Sequence, residues 1–344
     1  MSTIAFVTTD LPIIGAPMAG GTTTPELTAA VARAGGFPFV AGGYLTAEAL
    51  AAQVDRMRET TDNFGVNLFA PNPVPLDRAA FDAFVATLEP FAAERGITLD
   101  PEPVNDDDHY AEKINLLITH PVPLVSTTFN LPTAEVIDRL HSVGTQVAAT
   151  VTTAAEADTA RERGVDALIV QGPRAGGHTG TADPTRQIED RATVDLVREI
   201  LAEVDLPVAA GGGVDSAEAV EELLEAGASA VVIGTLLLLS DEAGTSAIHR
   251  RALQDNAFAE TRLTRAFTGR PARALANDFI RRFDGLAVDA YPAVHHLTKE
   301  FRAEAKKSED PQALHLWAGT GYRRAKEGSA ETIIKELGGP FTRG

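Results

Sequence analysis

At 344 residues the chain is long enough for one large α/β barrel with an insertion, or for two ordinary domains. Its 48 acidic residues against 30 basic ones leave a formal net charge of −18, which repels phosphate backbones and anionic membrane surfaces. No nucleic-acid or membrane partner is therefore expected, and the absence of cysteine excludes disulfides, thiolate metal sites and cysteine nucleophiles.

Residues 1–10 carry no basic stretch followed by a long apolar run, and no span of some 18 apolar residues follows, so a cytoplasmic setting is expected. Short apolar runs bounded by Gly or Pro then predict a strand over 12–18, a helix over 25–34, a strand over 37–41, a helix over 47–58 and a strand over 64–69. A proline-rich stretch with an acidic run at 106–108 interrupts this rhythm from Pro71 to about Asp108. The alternation resumes with strands at 122–127, 146–151, 166–171, 206–211 and 230–235, separated by helices at 134–141, 154–163, 192–203 and 217–225. Glycines 35, 164 and 227 follow three helices as left-handed caps. A second interruption runs from Ser240 to about Asp310, and residues 321–337 read as a closing helix.

Eight apolar strands separated by helices predict a parallel sheet closed into a (β/α)₈ TIM barrel of the α/β class. Residues 1–70, 111–239 and 316–344 are expected to form it. Residues 71–110 and 240–315 are expected to form an inserted, mostly helical lid, because the βα loops of a barrel emerge on one face and can roof a site there.

Four motifs lie where such a barrel places chemistry. Ala16-Pro17-Met18, inside Gly15 to Gly21, ends the first strand with small residues that let a flat ligand approach, although they would equally suit a tight βα turn. Gln171 to His178, with Gly176 and Gly177, follows the sixth strand. A histidine there can reach a substrate, and its ordinary pKa of about 6.5 suits proton transfer; an exposed loop histidine is the plainer alternative. Gly212 and Gly213 after the seventh strand and Gly234-Thr235 after the eighth occupy the two loops that bind phosphate in these barrels, or are two simple glycine turns. Asn67, a lone amide in an apolar strand, either satisfies neighbouring backbone or meets the edge of a heteroaromatic cofactor. Tyr291, His295 and Lys299 recur every four residues, which on a helix aligns them on one face, solvated or functional. The histidines show no paired spacing such as His-Glu-x-x-His, so no metal is expected.

In order along nearly the whole chain, these pieces resemble the nitronate monooxygenase family, formerly the 2-nitropropane dioxygenases, and in particular its class I members. The resemblance also takes in Thr127-Thr128-Phe129, Thr268-Gly269-Arg270-Pro271 and Trp317-Ala318-Gly319. It implies non-covalent FMN, with Gly212, Gly213, Gly234 and Thr235 on the phosphate and Ala16, Pro17, Met18, Asn67, Gln171, Gly176 and Gly177 near the ring or ribityl chain. It implies His178 as the active-site histidine and Tyr291, His295 and Lys299 as substrate-binding residues, Lys299 with Tyr291 receiving a substrate carboxylate. The implied reaction takes an alkyl nitronate, typified by propionate 3-nitronate, and O₂ to a carbonyl compound and nitrite, with a homodimer as a possible assembly. The chain departs from the family at His295, where a second tyrosine is expected, at Arg174, where glutamate is usual, and at Thr320, where glutamine is frequent. An NAD(P)H:quinone or enoyl-ACP reductase on the same barrel, or a flavin-binding protein without turnover, are the alternatives; an IMP dehydrogenase relative is excluded by the missing cysteine.

Overall fold

The computed structural model describes residues 3–343; Met1, Ser2 and Gly344, which the expected barrel ranges include, lie outside the described residues. Strands form at the apolar runs: β1 (Ile13–Gly15), β2 (Phe39–Ala41), β3 (Gly65–Phe69), β4 (Leu124–Thr128), β5 (Gln146–Val151) and β6 (Ala167–Gln171). A two-residue β7 (Gly177–His178), which belongs to another sheet, precedes β8 (Val208–Gly211) and β9 (Ala230–Ile233). The eight barrel strands are buried at almost every residue, as a parallel sheet covered on both faces requires. They pair in parallel in the order β1-β9-β8-β6-β5-β4-β3-β2. The two ends of that order meet where Gly15 N donates to Phe37 O at 3.0 Å and Phe37 N to Ile13 O at 2.8 Å, which closes the (β/α)₈ barrel.

Helices α1 (Pro25–Arg33), α2 (Ala47–Arg58), α3 (Arg78–Glu94), α4 (Tyr110–Thr119), α5 (Ala134–His141), α6 (Ala154–Arg163), α7 (Thr193–Glu203) and α8 (Ala217–Glu225) follow in chain order. Thr24, Thr46, Thr133, Thr153 and Ser216 cap α1, α2, α5, α6 and α8, each side chain accepting a backbone N–H of the first turn. Gly164, at φ 93°, ends α6 in the left-handed conformation that only glycine enters freely, and Gly35 and Gly227 also lie at positive φ. The barrel interior pairs large rings with small residues: Phe37 and Phe39 stand beside Ala148, Ala167, Ala209 and Ala230, with Phe6 fully buried in the same cluster.

A second apolar core lies outside the barrel. It joins α3 to α9 (Ala247–Gln254), α10 (Asp278–Phe283), α11 (Ala293–Leu297) and α12 (Lys299–Lys307) through Phe84, Phe91, Phe267, Phe279, Phe283 and Phe301. This layer also holds a three-stranded antiparallel sheet that the sequence pattern does not announce: β10 (Thr261–Thr264), β11 (Ala272–Leu275) and β7. His178 sits opposite Ala272 in that sheet, so it is pinned between barrel and second layer rather than carried on a free loop. The closing helix is shorter than predicted. A 3₁₀ turn spans Thr320–Arg324, Gly328 lies at φ 126°, and Ser329 caps α13 (Ala330–Gly338) afresh. Among the described residues no helix is long and apolar enough to cross a membrane.

Candidate active site

The carboxyl ends of the strands open on a cavity of about 320 Å³ that reaches beneath the second layer, within the range of small-molecule sites. Ala16, Pro17 and Met18 line its floor beyond β1, where Thr23 Oγ1 accepts Met18 N at 2.8 Å and donates to Ala16 O at 3.2 Å. Asn67 points into the cavity from β3, its Nδ2 donating to Ser126 Oγ at 2.9 Å and Thr128 Oγ1 at 3.0 Å, so side chains of the neighbouring strand hold its amide. Gln171 also lines the cavity, but both ends of its amide are engaged: Nε2 donates to His178 O at 3.0 Å and Oε1 accepts Gly180 N at 2.6 Å. It sets the position of the histidine segment.

Gly176, Gly177, Gly212, Gly213, Gly234 and Thr235 converge on one end. A Cβ at Gly176 would stand 2.5 Å from Gly319 N, and one at Gly212, itself at φ 120°, 2.8 Å from Gly172 O. Real Cβ atoms do not approach that closely, so glycine is dictated there by neighbouring backbone. Thr235 Oγ1 accepts Gly319 N at 2.9 Å, which ties the loop after β9 to the Trp317-Ala318-Gly319 segment.

His178 Nε2 lies 3.0 Å from Thr268 Oγ1, and Thr268 Oγ1 donates to Arg270 O at 3.3 Å. With its proton spent, the hydroxyl accepts from His178 Nε2–H, which assigns the lone pair to Nδ1. Burial, followed by the charges of Arg270 and Arg302, lowers the His178 pKa to about 3. The value near neutrality expected from the sequence is thus corrected: the imidazole is uncharged at physiological pH. Its ring packs on Phe129, Tyr291 and Trp317 at centroid distances of 5.3, 5.9 and 5.4 Å.

The three residues spaced by four separate. His295 lines the cavity, stacked on Tyr44 at 4.8 Å with the rings 4° from parallel. Tyr291 stands behind the lining, packed on Phe129 and His178, with Tyr44 nearby. Lys299 is exposed and outside the cavity wall. The reason is local: Tyr291 precedes α11, and the chain turns at Thr298 (φ −88°, ψ 3°) before α12 starts at Lys299, so no single helix carries all three.

The cation that enters the cavity is Arg302, one turn further along α12. Its Nη2 donates to His295 O at 2.8 Å, and its Nη1 to His295 Nδ1 at 3.3 Å and Phe267 O at 3.4 Å. Arg270, fully buried, donates to Asn72 Oδ1 at 3.0 Å and Phe129 O at 3.0 Å, with a further short bond to Thr181 O, and lies 4.3 Å above the Phe129 ring. Burial pulls both guanidinium pKa values down to about 10, which leaves them charged at neutral pH. Burial, with Arg302 next, lowers His295 to about 2, and it pushes Tyr44 up to about 12 although solvent reaches 38% of that residue. Among the described residues no Asp or Glu lines the cavity, in a chain with 48 acids. The charge available there is positive.

The sequence did not single out Tyr44, Arg302, His249 and His315, which line the cavity, and assigned no role to Phe129, which also lines it, or to Arg270. Tyr44 and Phe129 lie at φ 65° and 81°, beyond β2 and β4, the kind of strain that collects at functional sites and leaves no trace in composition.

The family model described as nitronate monooxygenase matches residues 2–339. A probable nitronate monooxygenase from Staphylococcus aureus (strain Newman) is 33% identical over 336 residues, covering 95% of this chain and 93% of that protein. One from Staphylococcus saprophyticus is 32% identical over 333 residues with the same coverage. A crystal structure of nitroalkane oxidase from Streptomyces ansochromogenes shares 42% identity and superposes with a TM-score of 0.90, over 96% of this chain and 95% of that one. FabK from Thermotoga maritima superposes with a TM-score of 0.73 at 23% identity, over 96% of this chain and 93% of that one, which shows a common fold and no more. With the model matched almost end to end and the barrel, cavity and glycine loops in place, the chain belongs to the nitronate monooxygenase family and is an oxidoreductase.

Proposed function

We propose that the protein is an FMN-dependent monooxygenase that oxidises an alkyl nitronate, such as propionate 3-nitronate, with O₂ to a carbonyl compound and nitrite. The observation that carries this reading is the cavity wall, free of acids, charged by buried Arg302 and backed by Arg270. A nitronate is an anion with its carbon already deprotonated, so it needs a positive field and no strong base. His178 supplies no strong base, since burial and the two arginines hold it neutral.

The site fits FMN. Its expected phosphate end is lined by Gly212, Gly213, Gly234 and Thr235, and a Cβ at Gly212 would strike the Gly172 backbone, so the bare backbone there is required by the fold. Gly212, Gly213, Gly234 and Thr235 would hold the phosphate, and Ala16, Pro17, Met18, Asn67, Gly176 and Gly177 would face the ring and ribityl chain. Gln171 would act from beneath, by holding His178. Bound FMN supplies the electron transfer between nitronate and O₂. The chain binds the nitronate oxygens through the guanidinium field, packs the nitronate beside the neutral imidazole of His178, and keeps water away with Phe129 and Trp317.

A second reading is oxidation of a neutral nitroalkane, favoured by the likeness to the Streptomyces ansochromogenes enzyme. It would require His178 Nδ1 to remove a carbon-bound proton, for which a histidine with a pKa near 3 is ill matched. The test is anaerobic mixing of FMN-loaded protein with propionate 3-nitronate in one cell and NADH or NADPH in another. Bleaching of the flavin absorbance by the nitronate alone is expected. Rapid bleaching by a nucleotide alone would move the assignment to a reductase, and a chain that cannot be loaded with FMN would sink both.

A further inference from the structure

Beyond Arg302, which the reading above already uses, three cavity residues take no part in it: His249, His315 and Lys306. Helix α9 contributes His249, the segment before Trp317 contributes His315, and α12 contributes Arg302 and, at the rim, exposed Lys306. His249 is 9% exposed, and its Nε2 has no hydrogen-bond partner; His315 Nδ1 is likewise buried and unpartnered. Unpaired buried polar atoms are costly and uncommon, and here two of them belong to side chains that line one cavity. Both histidines are held neutral by burial, His249 near pKa 4, and the charges of Arg302 and Lys306 bear on His315. Cations at the rim and base, imidazole nitrogens between them and no carboxylate on the wall describe a receptor for an anion.

His178 and His315 both pack against Trp317, at 5.4 and 5.2 Å between centroids, but otherwise keep different company: His178 meets Phe129 and Tyr291, whereas His315 meets Phe267. A ligand that reaches from one imidazole to the other must pass the indole. We propose that Lys306, His249 and His315, adjoining Arg302, form a second anion subsite, which receives the terminal carboxylate of a nitronate longer than three carbons while its nitronate group lies between Arg302 and His178. The inference rests on the proposed function for the identity of the reacting end. It makes the preferred substrate a dianion whose two charges are separated by several methylenes, and it places the exposed Lys299 outside substrate binding.

The test is calorimetric titration of the FMN-loaded full chain with malonate, glutarate and pimelate, unreactive dicarboxylates in which one carboxylate stands for the nitronate and the other for the tail. Affinity should rise about tenfold or more from malonate to pimelate, the gain of one charge-assisted contact. His315→Leu should remove most of that gain and Lys306→Gln about a third to a half of it on a logarithmic scale. Should His315→Leu fail to fold, the surface position of Lys306 keeps the second variant decisive. A flat length series, a gain left undiminished by Lys306→Gln, or inorganic phosphate binding more tightly than pimelate would each overturn the subsite. Turnover is not part of this readout. A chain that oxidises no nitronate can still show the length series, and one that oxidises nitronates with a flat series keeps the proposed function and loses only the tail site.

Discussion

His178 combines three constraints: Gln171 holds its carbonyl, Thr268 fixes its tautomer, and burial, aided by the two arginines, keeps it uncharged. Its pKa near 3 means that kcat/KM for a nitronate should be level from pH 6 to 8, as the charge of His178 does not change there; an inflection near 6.5 that disappears in His178→Asn would contradict this. Thr268→Val, which keeps the shape and removes the acceptor, should lower kcat/KM on the order of tenfold by releasing the ring, with the fold intact. At this scale the sequence placed the glycines and His178 on the cavity wall, because each follows directly on a barrel strand, although the atoms that demand glycine at Gly176 and Gly212 belong to distant segments. Arg302 was not placed there. Its role depends on a turn at Thr298 that shifts the helix start, and a regular spacing of four pointed to Lys299 instead.

Between elements, the acidic run 106–108 is a clasp rather than a solvated loop. Lys113, 0% exposed on α4, donates to Asp108 Oδ2 at 2.7 Å, Asp108 Oδ1 accepts Tyr44 N at 2.8 Å, and Asp106 Oδ2 lies 2.6 Å from His296 Nε2 on α11. These contacts fix Tyr44, and with it the His295 stack, against both the barrel and the second layer. Lys113→Met leaves Asp108 charged and half-buried without its partner, so urea unfolding should show a loss of about 3 kcal/mol, recovered in part by adding Asp108→Asn. For comparison, removing the Thr46 cap of α2 should cost only about 1 kcal/mol. The barrel strands and helices could be read from the sequence because their apolar periods and caps are local signals. The sheet of β7, β10 and β11 could not, since β10 is only four residues long, mostly part-exposed, and defined by partners far along the chain.

Over the whole molecule, four histidines around the cavity stay neutral in the folded state: His178 near 3, His249 near 4, His295 near 2, and His315 well below its ordinary value, all through burial first. In the unfolded chain each titrates near 6.5. Their folded pKa values are depressed, so the stability they contribute is present above about pH 6.5 and is lost as pH falls below it, by up to about 1.4 kcal/mol per pH unit for each. Urea midpoints should therefore drop steeply from pH 6.5 to 5, and His249→Leu should flatten that slope. A midpoint unchanged over the same interval would refute the assignment. The charge of −18 repels anions from the surface in general, yet among the described residues no Asp or Glu lines the cavity, a contrast that composition alone conceals. The central claim, that this cavity is built for a nitronate and not for its neutral parent, is tested most directly by oxygen uptake with the FMN-loaded protein. Propionate 3-nitronate would be compared with 3-nitropropionate assayed before it ionises at carbon. The account predicts turnover of the nitronate faster by on the order of 100-fold, the scale of an absent general base; equal or faster oxidation of the neutral nitro compound would contradict it and make His178 a base.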